Sequence, residues 1–321
     1  MKSHDAIVFG PGAEGQARKQ RGDTLLDKPI TSELGGVSPT IVVPGKWSVR
    51  DLAYQAEHIA TQKLHNNGYN CVATQVLVLS SDWDQKDAFV AALRKALANA
   101  PARQAYYPGS DDRCASAAAS HPGAEHLNDQ GRLLLDDLAA DDVAFTEEYF
   151  GPVLAITYLS GRDSQFVNSA VEFANTRLAG TLGANIVIHP RTARRLGTLF
   201  TEAITDLHYG TIAINAWTGV GYLTARATWG AFPGHTIDDA QSGIGVVHNG
   251  VLLDHTERTV VRGPFRPFPR SILTGEFTLS PRPPWFVTNR TAVTTGRRLA
   301  EFAARPGWAK LPGIVASALR G

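Results

Sequence analysis

Cysteine is almost missing from this chain: two residues, Cys71 and Cys114, among 321. Two thiols cannot knit a disulfide framework. There is no C-x-x-C and no H-E-x-x-H to give the ten histidines a zinc-type partner, and HPGAEH at 121–126 reads as a loop broken by proline, so no metal is expected. Long apolar runs are missing too. No stretch of about 18 apolar residues is present to span a membrane, and MKSHDAIVFG lacks the apolar core of a signal peptide. No membrane partner is expected, and the cytoplasm is the default location. With 43% hydrophobic and 19% charged residues the composition excludes a disordered chain, and the length is enough for two domains.

The net charge of +1 hides an asymmetry. From Arg258 onward eleven arginines and lysines face two glutamates, a local excess of +9 that leaves −8 for residues 1–257. The same stretch holds eight of the eighteen prolines, in RGPFRPFPR and PRPPW. No nucleic-acid fold signature accompanies it, so it reads as an arm packed on its own acidic body or on a neighbouring subunit rather than as a polyanion site.

Strand and helix patterns alternate. Ala6–Phe9 is a strand candidate, and Gly10, Gly12 and Gly15 after it spell G-x-G-x-x-G ahead of the helix-compatible run 16–21. Thr40–Val43 is the next strand, preceded rather than ended by Glu33. A helix begins at the N-cap Ser48, carries Leu52, Ala56, Ile59, Ala60 and Leu64 on one face, and is stopped by Asn66, Asn67 and Gly68. Cys71 follows on the short connection, where a free cysteine is either an inert apolar filler or a nucleophile. Strands are then expected at 75–80, 153–158, 182–188 and 211–215, with helices at 84–99, 164–175 and 193–207 and a loop-rich stretch at 101–130. This order predicts an α/β fold whose parallel-rich sheet is flanked by helices.

FGPGAE at 9–14, ELGGVSP at 33–39, GYNC at 68–71, EEYFGPV at 147–153, GTIAINAW at 210–217 and LLDHTERTVV at 252–261 fall in the order of six segments of the aldehyde dehydrogenase superfamily, which this chain resembles over residues 5–262. FGPGAE resembles its FTGS-type loop, ELGGVSP its ELGG-x-SP segment, and GYNC its G-Q-x-C. EEYFGPV is nearly letter for letter its E-E-x-F-G-P-V, and the remaining two resemble its last two strand segments. The resemblance implies NAD or NADP as cofactor and a small-molecule aldehyde as substrate. It implies Cys71 as the thiolate that forms a thiohemiacetal and then a thioester, and Glu33 as the base that activates water. Burial in a mostly apolar pocket would suit Glu33 to that task by raising its pKa. Glu148 matches the residue that hydrogen-bonds the nicotinamide ribose, Phe150 the aromatic beside the ring, Leu34 a wall of the nicotinamide pocket, and Gly12 the phosphate loop.

Gly12 stands where a serine hydroxyl is usual, Asn70 where a small or apolar residue is common, and TWGAFPGHTIDDAQSGIG, with Trp229 and Phe232, replaces the usual segment at the substrate mouth. Family members carry a long cofactor-binding region ahead of the FTGS-type loop, so the chain is expected to correspond to the C-terminal part of such an enzyme. The expected domains are a dinucleotide-binding remnant at 1–37, a catalytic domain at 38–250, an oligomerisation-type strand at 251–265 and a basic, proline-rich extension at 266–321. Expected partners are a second copy of the chain or a missing N-terminal half. The contrasting expectation is a non-catalytic remnant acting as a binding or assembly module.

Overall fold

The computed structural model describes every residue except Met1, Asp129, Gln130, Val251, Phe277 and Leu279, and of Lys2 and Ser3 the backbone alone. The chain opens with α1 (Lys2–Val8) and α2 (Gly12–Arg21), followed by β1 (Ser32–Glu33), β2 (Ser38–Val42), α3 (Val49–Leu64) and β3 (Thr74–Ser80). Next come α4 (Lys86–Asn99), α5 (Ser110–Ser120), β4 (Glu125–His126), β5 (Leu133–Leu135), β6 (Val153–Leu159), α6 (Asp163–Arg177) and β7 (Gly183–Val187). Then follow α7 (Pro190–Leu196), α8 (Thr198–Asp206), β8 (Thr211–Ile214), α9 (Thr218–Leu223), β9 (Trp229–Gly230), β10 (Gly243–Ile244), β11 (Val246–His248) and β12 (Thr259–Arg262). Two helices, α10 (Ala292–Ala304) and α11 (Leu311–Ala318), close the chain. No helix among the described residues is long and apolar enough to cross a membrane.

Eight strands form one sheet in the order β12-β8-β7-β2-β3-β6-β5-β4, parallel throughout except where β4 meets β5. Period-two alternation divides its faces. In β3, Val76 and Val78 join a core with Phe166 and Phe200 from α6 and α8, whereas Leu77 and Leu79 join Ile59, Phe89 and Leu93 from α3 and α4. Leu77 is fully buried; truncating such a residue to alanine costs about 2–5 kcal/mol.

The strand expected at Ala6–Phe9 is a helix instead. An isolated segment with no strand beside it would leave its amides and carbonyls unpaired, while a helix satisfies them internally. The G-x-G-x-x-G pattern therefore joins two helices and is not the strand–turn–helix of a dinucleotide fingerprint. The helix expected at 193–207 is split into α7 and α8 at Gly197, whose φ is +56°. The stretch 101–130 contains α5, so Cys114 lies on a helix rather than in a loop; Gln130, its end, is outside the described residues. Of the segment 252–261 only Thr259 onward is strand, as β12 on the sheet edge beside β8. Val251, where the oligomerisation-type strand was expected to start, is not described.

The basic extension packs on the chain's own acids. Arg266 and Arg270 both pair with the fully buried carboxylate of Asp51, each at 2.7 Å, and Arg282 pairs with Glu57 at 2.6 Å.

Candidate active site

Parallel strands put the residues that precede neighbouring strands on one edge of the sheet. Four segments meet there: 179–182 ahead of β7, 33–37 ahead of β2, 68–72 ahead of β3, and 147–152 ahead of β6. This is why Glu33 and Cys71, 38 positions apart, and Gly35 and Glu148, 113 apart, are neighbours.

Each segment is held by a specific device. Helix α3 starts with a capping box in which Ser48 and Asp51 exchange hydrogen bonds. It ends in a short 3-10 turn where Asn66 and Asn67 take left-handed φ values of 53° and 54°, a conformation that asparagine tolerates better than most residues. Gly68 follows at φ +83°, and a Cβ on it would stand 2.3 Å from the carbonyl oxygen of Gly151. Only glycine lets the GYNC turn lie against the EEYFGPV segment. From β3, the Gln75 side chain donates to the carbonyls of Ala144 (2.9 Å) and Glu147 (2.6 Å) and accepts from the Tyr149 amide (2.9 Å), fixing the backbone around Glu148. Ser242 accepts from the Thr181 amide at 2.8 Å and donates to the Gly35 carbonyl at 2.9 Å.

At this edge the half-buried Cys71 donates its thiol proton to Oε1 of Glu33 at 3.7 Å. The indole Nε1 of Trp229 donates to the same oxygen at 3.1 Å and orients it. Burial, then the negative charges of Glu33 and Glu148, push the Cys71 thiol up to about 12. The thiol is therefore protonated at neutral pH, and Glu33 is its hydrogen-bond acceptor.

The acid expected in an apolar pocket is not Glu33, which is exposed. It is Glu148, pushed by burial up to about 7 even though the Gly36 amide and the Lys63 ammonium pull it down. The Glu148 carboxylate covers Gly35 so closely that a Cβ there would meet its oxygen at 2.3 Å. Phe150, at φ +44°, sets its ring edge-on to Tyr107 at 4.7 Å. Leu34 is tied through its amide to the Ser242 carbonyl at 2.8 Å. Gly12 stands apart, exposed at the start of α2, with nothing within 4 Å of where a Cβ would be.

Of the two aromatic residues expected at the mouth, Trp229 reaches Glu33, while Phe232 stacks on His208 at 4.7 Å. Asn70 donates to the His65 carbonyl at 2.6 Å. Sequence reasoning missed Trp217, whose Nε1 donates to the Val72 carbonyl at 3.1 Å, and the buried Lys63. Trp217 ends the quoted GTIAINAW segment but was given no role there, and Lys63 carries no motif, although a lysine inside an otherwise apolar-faced helix was a visible signal. No group of three or more His, Cys, Asp or Glu side chains suited to a metal ion occurs among the described residues.

A separate cavity of about 590 Å³ opens at the opposite, carboxyl edge of β2, β3 and β6, lined by Lys46, Trp83, Asp84 and Arg162 among others. Parallel sheets commonly bind ligands at that edge. Here Arg162 is paired with Asp84, and that edge brings no nucleophile and base together, so the chemistry is assigned to the amino edge.

The fold, a mostly parallel sheet flanked by helices, is similar to that of solved aldehyde dehydrogenases. No family model matches the chain. It is 29% identical over 211 residues to succinate-semialdehyde dehydrogenase (NADP(+)) 1 of Mycobacterium tuberculosis, covering 60% of this chain and 43% of that protein. It is 26% identical over 211 residues to the Mycobacterium avium protein named succinate-semialdehyde dehydrogenase (NADP(+)), covering 60% of this chain and 41% of the other. The match thus spans less than half the length of these relatives. Among solved structures, the NADP-dependent glyceraldehyde-3-phosphate dehydrogenase of Bacillus halodurans C-125 superposes with a TM-score of 0.55 at 22% identity, over 72% of this chain and 47% of that one. An aldehyde dehydrogenase of Bacillus cereus in complex with NAD+ gives 0.54 at 21% identity, over 70% and 45%.

Proposed function

We propose that the chain carries the catalytic part of an NAD(P)-dependent aldehyde dehydrogenase, with Cys71 as nucleophile and Glu33 as general base. The observation that carries this reading is the contact of the Cys71 thiol with a Glu33 carboxylate already oriented by Trp229. Glu33 takes the thiol proton as the sulfur adds to the aldehyde carbon, so that the costly free thiolate need not accumulate. Once the adduct has been oxidised, a thioester remains on Cys71. Glu33, having released the first proton to solvent, then deprotonates a water, which attacks the acyl carbon; the C–S bond breaks, the carboxylic acid leaves, and the thiolate recovers its proton from Glu33.

The residues present fit one end of a nicotinamide dinucleotide. The Glu148 carboxylate, which lies directly on Gly35, is a group able to accept from ribose hydroxyls, with Leu34 and Phe150 in the neighbouring segments. The bound cofactor would supply the hydride acceptor at this edge. The glycine loop at 10–15 does not fit the other end, because α1 rather than a strand leads into it.

The alternative, a non-catalytic remnant acting as a binding or assembly module, draws on that same helix and on the protonated resting thiol. Hydrolysis of p-nitrophenyl acetate by the purified chain separates the two. Acyl transfer needs only the assembled thiol and base, so turnover is expected to be lost in Cys71→Ala, with aldehyde-dependent reduction of NAD or NADP weak by comparison because positioning can carry about 7–11 kcal/mol of such a barrier. Ester turnover unchanged by Cys71→Ala would establish the remnant. Robust cofactor reduction that depends on Cys71 would show that Gly10–Gly15 is not needed in a strand–turn–helix.

A further inference from the structure

The C-terminal segment brings a third tryptophan to the surroundings of Cys71. Val72, Leu182, Trp217 and Trp229 form a small buried cluster, and two further residues pack against it: Cys71 itself and Trp285 of the PRPPW sequence. Trp285 lies 5.9 Å from Trp217 between ring centroids, at an interplanar angle of 34°, and His65 lies 4.8 Å from the same Trp217 ring.

The placement of Trp285 is fixed along one stripe of α3. Tyr54, Glu57, His58 and Thr61 share a helical face by their spacing, and each receives part of the segment. Tyr54 and His58 stack on Phe286 at 5.5 and 5.6 Å, and His58 meets Trp285 at 5.3 Å. Glu57 accepts from Arg282 at 2.6 Å and from the Thr288 hydroxyl, and Thr61 accepts from the Val287 amide at 3.3 Å. The stripe continues to His65 and then to the turn bearing Cys71, so a single helix sets the distance between tail and thiol.

Resting on the dehydrogenase reading above, we propose that the partly buried Trp285, backed by the buried Trp217 and Trp229, is a specificity-determining wall of the acyl site that selects aldehydes bearing an aromatic group over aldehydes bearing a distal carboxylate. Indole faces offer a flat acyl group stacked or edge-on contacts, and a carboxylate there would lose its hydration among apolar rings. The acids Glu33 and Glu148, whose charges already bear on the Cys71 thiol, disfavour a second anion.

The test is alkylation of Cys71 in the intact chain by N-benzyl-iodoacetamide, iodoacetamide and iodoacetate, followed by peptide mass spectrometry. Rates of two reagents at one thiol share its thiolate fraction, so their ratio reads the walls alone. Relative to the same ratio on N-acetylcysteine, the benzyl reagent is expected to gain about tenfold over iodoacetamide at Cys71, and iodoacetate to be the slowest. Trp285→Ala should remove most of the gain and Trp285→Phe should keep it; if the alanine variant does not fold, Trp285→Leu, which preserves apolar bulk without a ring, should lose it too. A benzyl preference that is absent in the wild type, or that persists without the ring, overturns the proposal. So does a preference for iodoacetate, which would point to Arg103, whose charge already acts on His65. Ester hydrolysis indifferent to Cys71→Ala would defeat the dehydrogenase reading and leave this alkylation result to be read by itself.

Discussion

Cys71 keeps its proton at neutral pH because burial and two nearby carboxylates oppose a third negative charge. The same Glu33 that raises the thiol accepts its hydrogen bond, so in the mechanism proposed above charge and base function reside in one side chain. Glu33→Gln separates them. The amide oxygen can still accept from Trp229, but it cannot take a proton, so Cys71-dependent ester hydrolysis is expected to fall about 10²-fold or more. With one neighbouring charge gone, the alkylation midpoint of Cys71 should move down from about 12 toward the ordinary 9.0, burial holding it short of that value. Glu148→Gln should also lower the midpoint while sparing hydrolysis. A Glu33→Gln chain that hydrolyses ester at the wild-type rate would remove Glu33 from the base role.

Helix α3 does two jobs as an element, since one end carries the turn to Cys71 and one face carries the C-terminal segment. Its anchor is Asp51. Burial works to raise this carboxyl, and hydrogen bonds from Arg266 and Ser48 outweigh it, holding the group well below the usual carboxylate range. Arg270 still pairs with Asp51 when Arg266 is removed, so only the double variant Arg266→Ala/Arg270→Ala strands the buried charge; that variant is expected to cost about 3–5 kcal/mol, read as a denaturant midpoint. A carboxyl depressed in the folded state stabilises above its unfolded value, 3.8, and that contribution drains as pH falls toward the folded value. The gap between wild type and Asp51→Asn should accordingly narrow below about pH 4; a gap constant to pH 2.5 would mean the pairing contributes little. The helical span of α3 and the β2–α3–β3 order were legible because apolar spacing and the Ser48 cap agree. The arm's packing was legible only as charge balance; α10, which holds no proline and has the spacing of an amphipathic helix, was obscured by the proline-rich segment before it. The strand reading of residues 6–9 failed because a short apolar run takes whichever structure its neighbours can pair.

At the scale of the whole molecule, the parallel sheet explains what sequence could and could not show of the site. Motifs immediately ahead of strands, ELGGVSP, GYNC and EEYFGPV, were readable because each lies within a few residues of its strand. Trp229 was readable as part of the substrate-mouth segment, but the approach of Trp217 and Trp285 was not, because it depends on how distant loops fold back. Lys63 belongs to this second group. Burial lowers its ammonium from 10.5 to about 8, partly offset by Cys114 and Glu148, while burial raises Glu148 from 4.5 to about 7. Between about pH 7 and 8 both groups are charged inside the fold. A carboxyl raised in the folded state stabilises below its unfolded value and loses that contribution as pH rises through the folded one. Glu148→Gln should therefore gain stability relative to wild type between pH 4.5 and 7 and hold the gain above. A lysine depressed in the folded state behaves in the opposite sense, so the advantage of Lys63→Met should be full below about pH 8 and vanish by pH 10.5. Differences against wild type are the proper readout, because the buried His58 and His189 and the partly buried His65 and His235, all lowered by desolvation, tilt the absolute curve the other way over the acid range. Each charge also partly supports the other, so the double variant should differ from the sum of the singles by more than about 0.5 kcal/mol. Strict additivity across pH 5–10 would show that Lys63 and Glu148 do not share one electrostatic environment beside Cys71.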